Sequence, residues 1–154
     1  MRPCGFDGTP RIVGTMMEID DNALSRHPAW EAVAAESAGP GGRPLTAGER
    51  AVADANRRFP GGATRYTELD GDIGLLVSGG GASLYQHDLI LEYGARPANH
   101  TDFSPTPTPD KHVAVLDAIF ARPTVRGLLV GCSVLQLARC DLVVDALAIA
   151  LRKA

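Results

Sequence analysis

The chain has 154 residues, 45% of them hydrophobic and 5% aromatic, a length that suits one compact domain with a short appendage and needs neither disulfides nor a structural metal to bury a core. Fifteen Lys and Arg against 18 Asp and Glu leave a formal charge of −3 with no basic run, which argues against nucleic acid as a partner and against an anionic-membrane anchor. No apolar stretch approaches the ~20 residues that span a bilayer, and Met1-Arg2-Pro3-Cys4-Gly5 lacks the apolar core of a secretion signal, so a cytoplasmic protein is expected.

Residues 11–19 read as a strand that ends at the turn-rich Asp20-Asp21-Asn22. His27-Pro28 then marks a helix start, because Pro is preorganised for the first turn, and 29–36 are good helix formers. Residues 38–48 hold four Gly and two Pro and read as a linker. A short helix is predicted over 46–58, broken by Phe59-Pro60-Gly61-Gly62.

From Arg65 the texture changes, with apolar strands alternating with helix-length segments. A short edge strand over 66–69 precedes a buried strand over 73–77, which runs through Gly79-Gly80-Gly81 into a helix over 82–93 with Gly94 as its stop. A strand over 98–103 and the Pro-rich run 104–109 lead to a helix over 110–121. A last strand over 125–130 precedes an apolar helix over 140–151, for which Asp141 is the expected cap. Three strand-then-helix units in a row predict an α/β fold, a doubly wound parallel sheet with flanking helices.

The most informative segment is the apolar strand that runs into Ser78-Gly79-Gly80-Gly81 and then a helix. Glycines there allow a tight turn and let an anion approach bare N–H groups where the helix dipole adds positive charge. A phosphate or carboxylate would fit, and so would a tight turn holding no ligand. The pattern is neither GxGxxG nor GxxxxGK[ST], so it specifies no nucleotide.

Cys4, Cys132 and Cys140 show no CxxC or Cys/His ligand spacing and are expected to be reduced thiols. Cys132 follows the last strand, where doubly wound sheets bind ligands. Among the scattered His27, His87, His100 and His112, only His100 is expected near a site, while Asp88 and Asp102 show no evident partner.

The segment 69–81, LDGDIGLLVSGGG, resembles the LDGxIGxxVNGAG segment of the β subunit of succinyl-CoA synthetase, the ADP- or GDP-forming acyl-CoA ligase. Further similarities follow in chain order. Residues 19–28 look like IDDNALFRHP near the end of that subunit's ATP-grasp domain, 94–99 like GGEPAN, and 137–142 like IVRCDxI.

The resemblance implies a flavodoxin-like CoA-ligase domain over 65–154, preceded over 1–64 by a remnant of the ATP-grasp domain and its Gly/Pro-rich linker. It implies that Gly79, Gly80, Gly81 and Ala82 cradle a phosphate that travels on a histidine of a CoA-binding α-type subunit. Ser78, Cys132, Ser133 and Val134 fall where the family shapes its carboxylate pocket. Ser78 stands in place of a substrate-contacting Asn, and the Pro-rich run 104–109 replaces family glycines, so a small carboxylic acid other than succinate is expected.

Asn22 matches a family Mg²⁺ ligand, and Glu36 meets its acidic partner after a one-residue shift. The family's nucleotide-binding lobes have no counterpart in the sequence. Mg²⁺ with ATP or GTP is therefore expected on a separate ATP-grasp chain, and CoA on the α-type subunit. No catalytic residue is assigned to this chain, which is not expected to be active alone; a non-catalytic scaffold or ligand-binding subunit of the same fold is the alternative.

Overall fold

The computed structural model describes residues 26, 27, 29, 43–132 and 138–154. The chain separates into two units, Met1–Ser37 and Ala38–Ala154, and the elements described here belong to the second. The strand predicted over 11–19, the helix over 29–36 beyond its first residue and most of the expected ATP-grasp remnant lie outside the described residues, as do Asn22, Glu36, Ser133 and Val134.

The elements run α1 (Ala47–Arg58), β1 (Thr64–Glu68), β2 (Ile73–Val77), α2 (Gly80–Glu92), β3 (Asn99–Phe103), α3 (Asp110–Phe120), β4 (Gly127–Gly131) and α4 (Cys140–Leu151). The three expected strand–helix units are therefore β2–α2, β3–α3 and β4–α4. β2 pairs with β4 in parallel, Leu75 opposite Leu129, whereas β1 pairs with β3 antiparallel, Tyr66 opposite Thr101. Parallel bridges at Ile73 to Pro97 and Ser78 to Phe103 join the two pairs, giving the order β1-β3-β2-β4. The sheet is thus mixed, with an antiparallel strand at its margin.

The middle of the β2–β3 seam is closed by side chains. Asn99, fully buried, accepts from Leu75 N at 2.9 Å and donates to Leu75 O at 2.8 Å, and Thr101 Oγ1 donates to the same carbonyl at 2.7 Å. The carboxamide serves as a peptide group inserted between the strands, satisfying backbone atoms that would otherwise be buried unpaired. Gly71 is needed just before β2, because a Cβ there would sit 2.0 Å from Pro97 O.

The crossovers from β2 to β3 and from β3 back past β2 to β4 run in opposite directions across the sheet, and right-handed connections therefore put α2 and α3 on opposite faces. On the α3 face, Leu76, Phe103, Val115, Leu116, Ile119 and Val143 form the core, joined by Val52 of α1 and Ala146 of α4. The helix predicted over 46–58 belongs to this packing. Thr46 caps it: Oγ1 accepts from Glu49 N at 3.1 Å while Glu49 Oε2 accepts from Thr46 N at 2.9 Å.

Glu49 also accepts from Glu68 N at 3.0 Å, tying α1 to β1. Burial works to raise its pKa, but Arg43, Thr46 and Glu68 together bring it down to about 2. Lys111, buried on α3, donates to Gly61 O and Gly62 O at 3.2 and 3.0 Å and so pins the loop before β1. Next to it, His112 packs edge-on against Phe103 with ring centroids 4.5 Å apart, and neither ring nitrogen has a hydrogen-bond partner among the described residues. Burial pushes its pKa down to about 4.

The start of β4 and the cap of α4 differ from the sequence reading. β4 begins at Gly127 rather than Val125, because Val125 N donates to Arg122 O and Arg126 N to Asp72 O, a turn that precedes pairing. Asp141 does not cap α4; Arg139 occupies the cap position without a side-chain cap bond, and Asp141 lies in the first turn, ion-paired to Arg139.

Candidate functional site

With β2 flanked by β3 on one side and β4 on the other, the chain direction across the sheet reverses beside β2. Doubly wound sheets bind ligands outside the carboxyl ends of the strands at such a point. The residues there are Ser78-Gly79-Gly80-Gly81 after β2, His100 and Asp102 near the end of β3, and Gly131-Cys132 at the end of β4. The end of β2 is tied to β4 by Ser78 N donating to Gly131 O at 3.0 Å.

Gly79 is the turning residue. It is buried with φ 92° and ψ 80°, a left-handed conformation that favours glycine, and it is the N-cap of α2. The helix starts two residues before the predicted Ala82, because Ser83 N already closes onto Gly79 O at 2.9 Å. A glycine cap has no side chain to spend on the first amides of the helix. Asp102 acts instead, its Oδ1 accepting from Gly79 N and from Gly80 N at 3.1 Å each.

Of the four amides expected to cradle a phosphate, then, those of Gly79 and Gly80 are engaged by a carboxylate of the chain itself. Those of Gly81 and Ala82 have no hydrogen-bond partner among the described residues, and both residues are exposed. A Cβ built on Gly80 or Gly81 meets no atom of the described residues within 4 Å.

His100 lies on the same side of β3 as Asp102, two residues away. Its Nε2 is 3.2 Å from Ser83 Oγ, which itself donates to Gly80 O at 2.7 Å. Because the Ser83 proton is committed to Gly80, the bond to His100 is one that Ser83 accepts. Burial, then His87 and Arg65, hold the His100 pKa below the ordinary value against the opposing pull of Asp102. The histidine expected near the site is there, as a grip on the helix start.

Ser78 is fully buried in the strand bridge, not on an open pocket wall. Cys132 is exposed at the expected strand end, but burial of its sulfur and a hydrogen bond with Cys140 raise its pKa, which disfavours the thiolate that a nucleophile needs. No group of three or more His, Cys, Asp or Glu comes together as metal ligands among the described residues. No described helix is long and apolar enough to cross a membrane.

Sequence reasoning missed Asp102. The available signal was the alternation of β3, where Asn99, Thr101 and Phe103 turn inward and His100 and Asp102 share the other side.

No protein-family model matches the chain. The β subunit of the ADP-forming succinate–CoA ligase of Nitrobacter hamburgensis is 33% identical over 146 residues, which cover 95% of this chain and 33% of that protein. That of Acidiphilium cryptum is 32% identical over 155 residues, covering 99% and 35%. Among solved structures, ATP citrate lyase from Methanothrix soehngenii in complex with citrate and coenzyme A superposes with a TM-score of 0.68 at 22% identity, over 86% of this chain and 35% of that one. The latter likeness concerns the fold. The chain spans about a third of the length of the curated relatives it matches. Over nearly its whole length it is thus a relative of succinate–CoA ligase β subunits, as the four ordered sequence segments imply.

Proposed function

We propose that this chain is a β-type component of a split NDP-forming acyl-CoA synthetase-like ligase, working in the cytoplasm. The assembled enzyme activates a carboxylate through an acyl phosphate, and phosphate travels on a histidine of the CoA-binding α-type subunit. Mg²⁺ and ATP or GTP sit on ATP-grasp lobes that lie outside these 154 residues. The observation that carries this reading is the pair of amides of Gly81 and Ala82, without a hydrogen-bond partner among the described residues, at the start of a helix that opens beside β2 where the sheet reverses direction. These amides are aligned donors for a phosphoryl oxygen, strengthened by the helix dipole.

The names of the relatives support the reaction class, since succinate–CoA ligase and ATP citrate lyase both act on carboxylic acids. An acid other than succinate is favoured by Ser78, buried where the family has a substrate-contacting Asn, and by the Pro-rich loop after β3. That loop is fastened to the segment before β1 by Gly62 N donating to Pro105 O at 3.0 Å. The exposed Leu84, Tyr85 and Leu91 of α2, with Tyr93 at its C-cap, support a partner-facing helix next to the turn.

A second reading, a scaffold subunit without chemistry, is favoured by the engagement of two turn amides by Asp102. One experiment decides. The complex purified from its native host is supplied with ATP, Mg²⁺, CoA and a panel of carboxylic acids, and acyl-CoA formation and histidine phosphorylation are measured. Turnover is expected with an acid other than succinate. Gly81→Leu, whose Cβ meets no atom of the described residues, is expected to fold and assemble but to lose about 10²-fold in rate. An intact complex that forms neither phosphohistidine nor acyl phosphate overturns the ligase reading and leaves the scaffold.

A further inference from the structure

We propose that Cys132 and Cys140 form a redox-sensitive dithiol, a modification site at which a small-molecule disulfide converts the pair to an intramolecular disulfide that fastens the end of β4 to the start of α4. The pair stands whether or not the chain is a ligase component.

In sequence the two cysteines lie eight positions apart, outside the spacings that mark a redox or metal motif. The fold brings them together. Cys132 directly follows β4, Cys140 is the first residue of α4, and the two thiols share a hydrogen bond. Each sits on backbone held by other contacts. Ser78 N donates to Gly131 O at 3.0 Å, and Gln86 of α2 lies so near that a Cβ on Gly131 would be 2.0 Å from its Oε1. On the other side, Leu142 and Val143 are buried in the first turn of α4. Thiols that already touch on such supports need little movement to reach disulfide geometry. Both residues are exposed, so an oxidant in solvent reaches them, unlike a cysteine that serves as a small buried hydrophobe.

The exchange balances in two steps. The Cys140 thiolate attacks one sulfur of the small disulfide: a mixed S–S bond forms, the oxidant's own S–S bond breaks, and one half leaves as a thiolate with the bonding electron pair. Cys132 then gives its proton to solvent and attacks the Cys140 sulfur, releasing the other half. The chain loses two electrons and two protons, and the oxidant becomes two thiols. Burial and Cys140 push the Cys132 thiol up, which suits it to the second step, where proximity makes up for a small thiolate fraction. In a reducing compartment such a pair rests as the dithiol and responds to a rise in oxidant.

The test equilibrates the full chain with mixtures of oxidised and reduced glutathione, alkylates the remaining thiols, and maps tryptic peptides by mass spectrometry. Cleavage after Arg139 separates the two cysteines, so the disulfide joins peptides 127–139 and 140–152. The joined peptides are expected to exceed glutathione adducts on either cysteine at least tenfold. In Cys132→Ser the adduct is expected to accumulate on Cys140, and in Cys4→Ser the joined peptides persist. The chain unfolded in urea is expected to need a mixture at least tenfold more oxidising. Stable adducts on both cysteines without joined peptides, a disulfide to Cys4, or thiols that stay reduced in every mixture would overturn the pair. Equal formation in the folded and unfolded chain would show that sequence proximity alone makes the bond, and would overturn the site as a product of the fold.

Discussion

On the α3 face of the sheet, Val115, Leu116 and Ile119 are at most 1% exposed, whereas on α2 Leu84, Tyr85 and Leu91 stand 56, 64 and 50% exposed. The two helices are similarly apolar in sequence, and what separates them is the second layer. α3 is sandwiched between the sheet and its neighbours α1 and α4, while α2 packs on the sheet and buries only Ser83. Apolar composition alone therefore does not tell stability from recognition. The covered face holds the fold together, and the thin one carries the turn.

The sharpest way to break that contrast is a matched pair of truncations followed by urea unfolding. Leu116→Ala is expected to cost about 2–5 kcal/mol through lost burial and the cavity left behind. Leu91→Ala on α2 is expected to stay within about 0.5 kcal/mol. Equal losses would mean that α2 is packed as firmly as α3 and would end the distinction.

Acid tests the covered face next. His112 is buried in the neutral form, with its pKa at about 4 against an ordinary 6.5, so unfolding takes up a proton between those values. The stability it contributes is complete above pH 6.5 and is lost as pH falls towards 4, by up to about 3 kcal/mol. His112→Phe is expected to flatten that slope in thermal melts recorded from pH 7 to 4. A parent chain whose melting point is level across this window would contradict the buried, neutral ring.

A smaller effect is expected where α1 joins β1. The folded Glu49 carboxyl titrates at about 2 against an ordinary 4.5, so its contribution is present above pH 4.5 and disappears as pH falls towards 2. Glu49→Gln is expected to cost about 1 kcal/mol at neutral pH, a modest figure because Arg43 is partly solvated. The gap from the parent should close in acid denaturation curves; a gap that is constant with pH would mean that the ion pair contributes nothing.

Much of the fold was legible. β2 and α4 lie where the apolar run and the helical spacing put them, Ile73–Val77 and Cys140–Leu151, because in these segments one physical requirement, burial, dominates each residue's identity. The direction of β1 was not legible, since the side-chain pattern of Thr64–Glu68 is the same whichever way the strand runs. At the site, the glycine turn could be read because its constraint is local, a left-handed residue at a strand-to-helix junction. For Asp102 the alternation of β3 gives the side but not the partners, which are backbone amides 22 and 23 residues away that carry no residue-type signal. Cys132 and Ser78 were placed correctly along the chain, but their chemistry depends on surroundings that position does not encode.

The seam at Asn99 has a consequence for the lifetime of the folded chain. A backbone ladder can zip one pair at a time, whereas a single carboxamide engages Leu75 all at once, and only after two positions 24 residues apart have been brought into register. The middle of the sheet is therefore expected to lock late, downstream of the rate-limiting barrier. Truncating Asn99 would then hasten unfolding far more than it slows folding. One side chain acting as the last bolt between two strands is thus expected to weigh on the lifetime of the fold alongside its core.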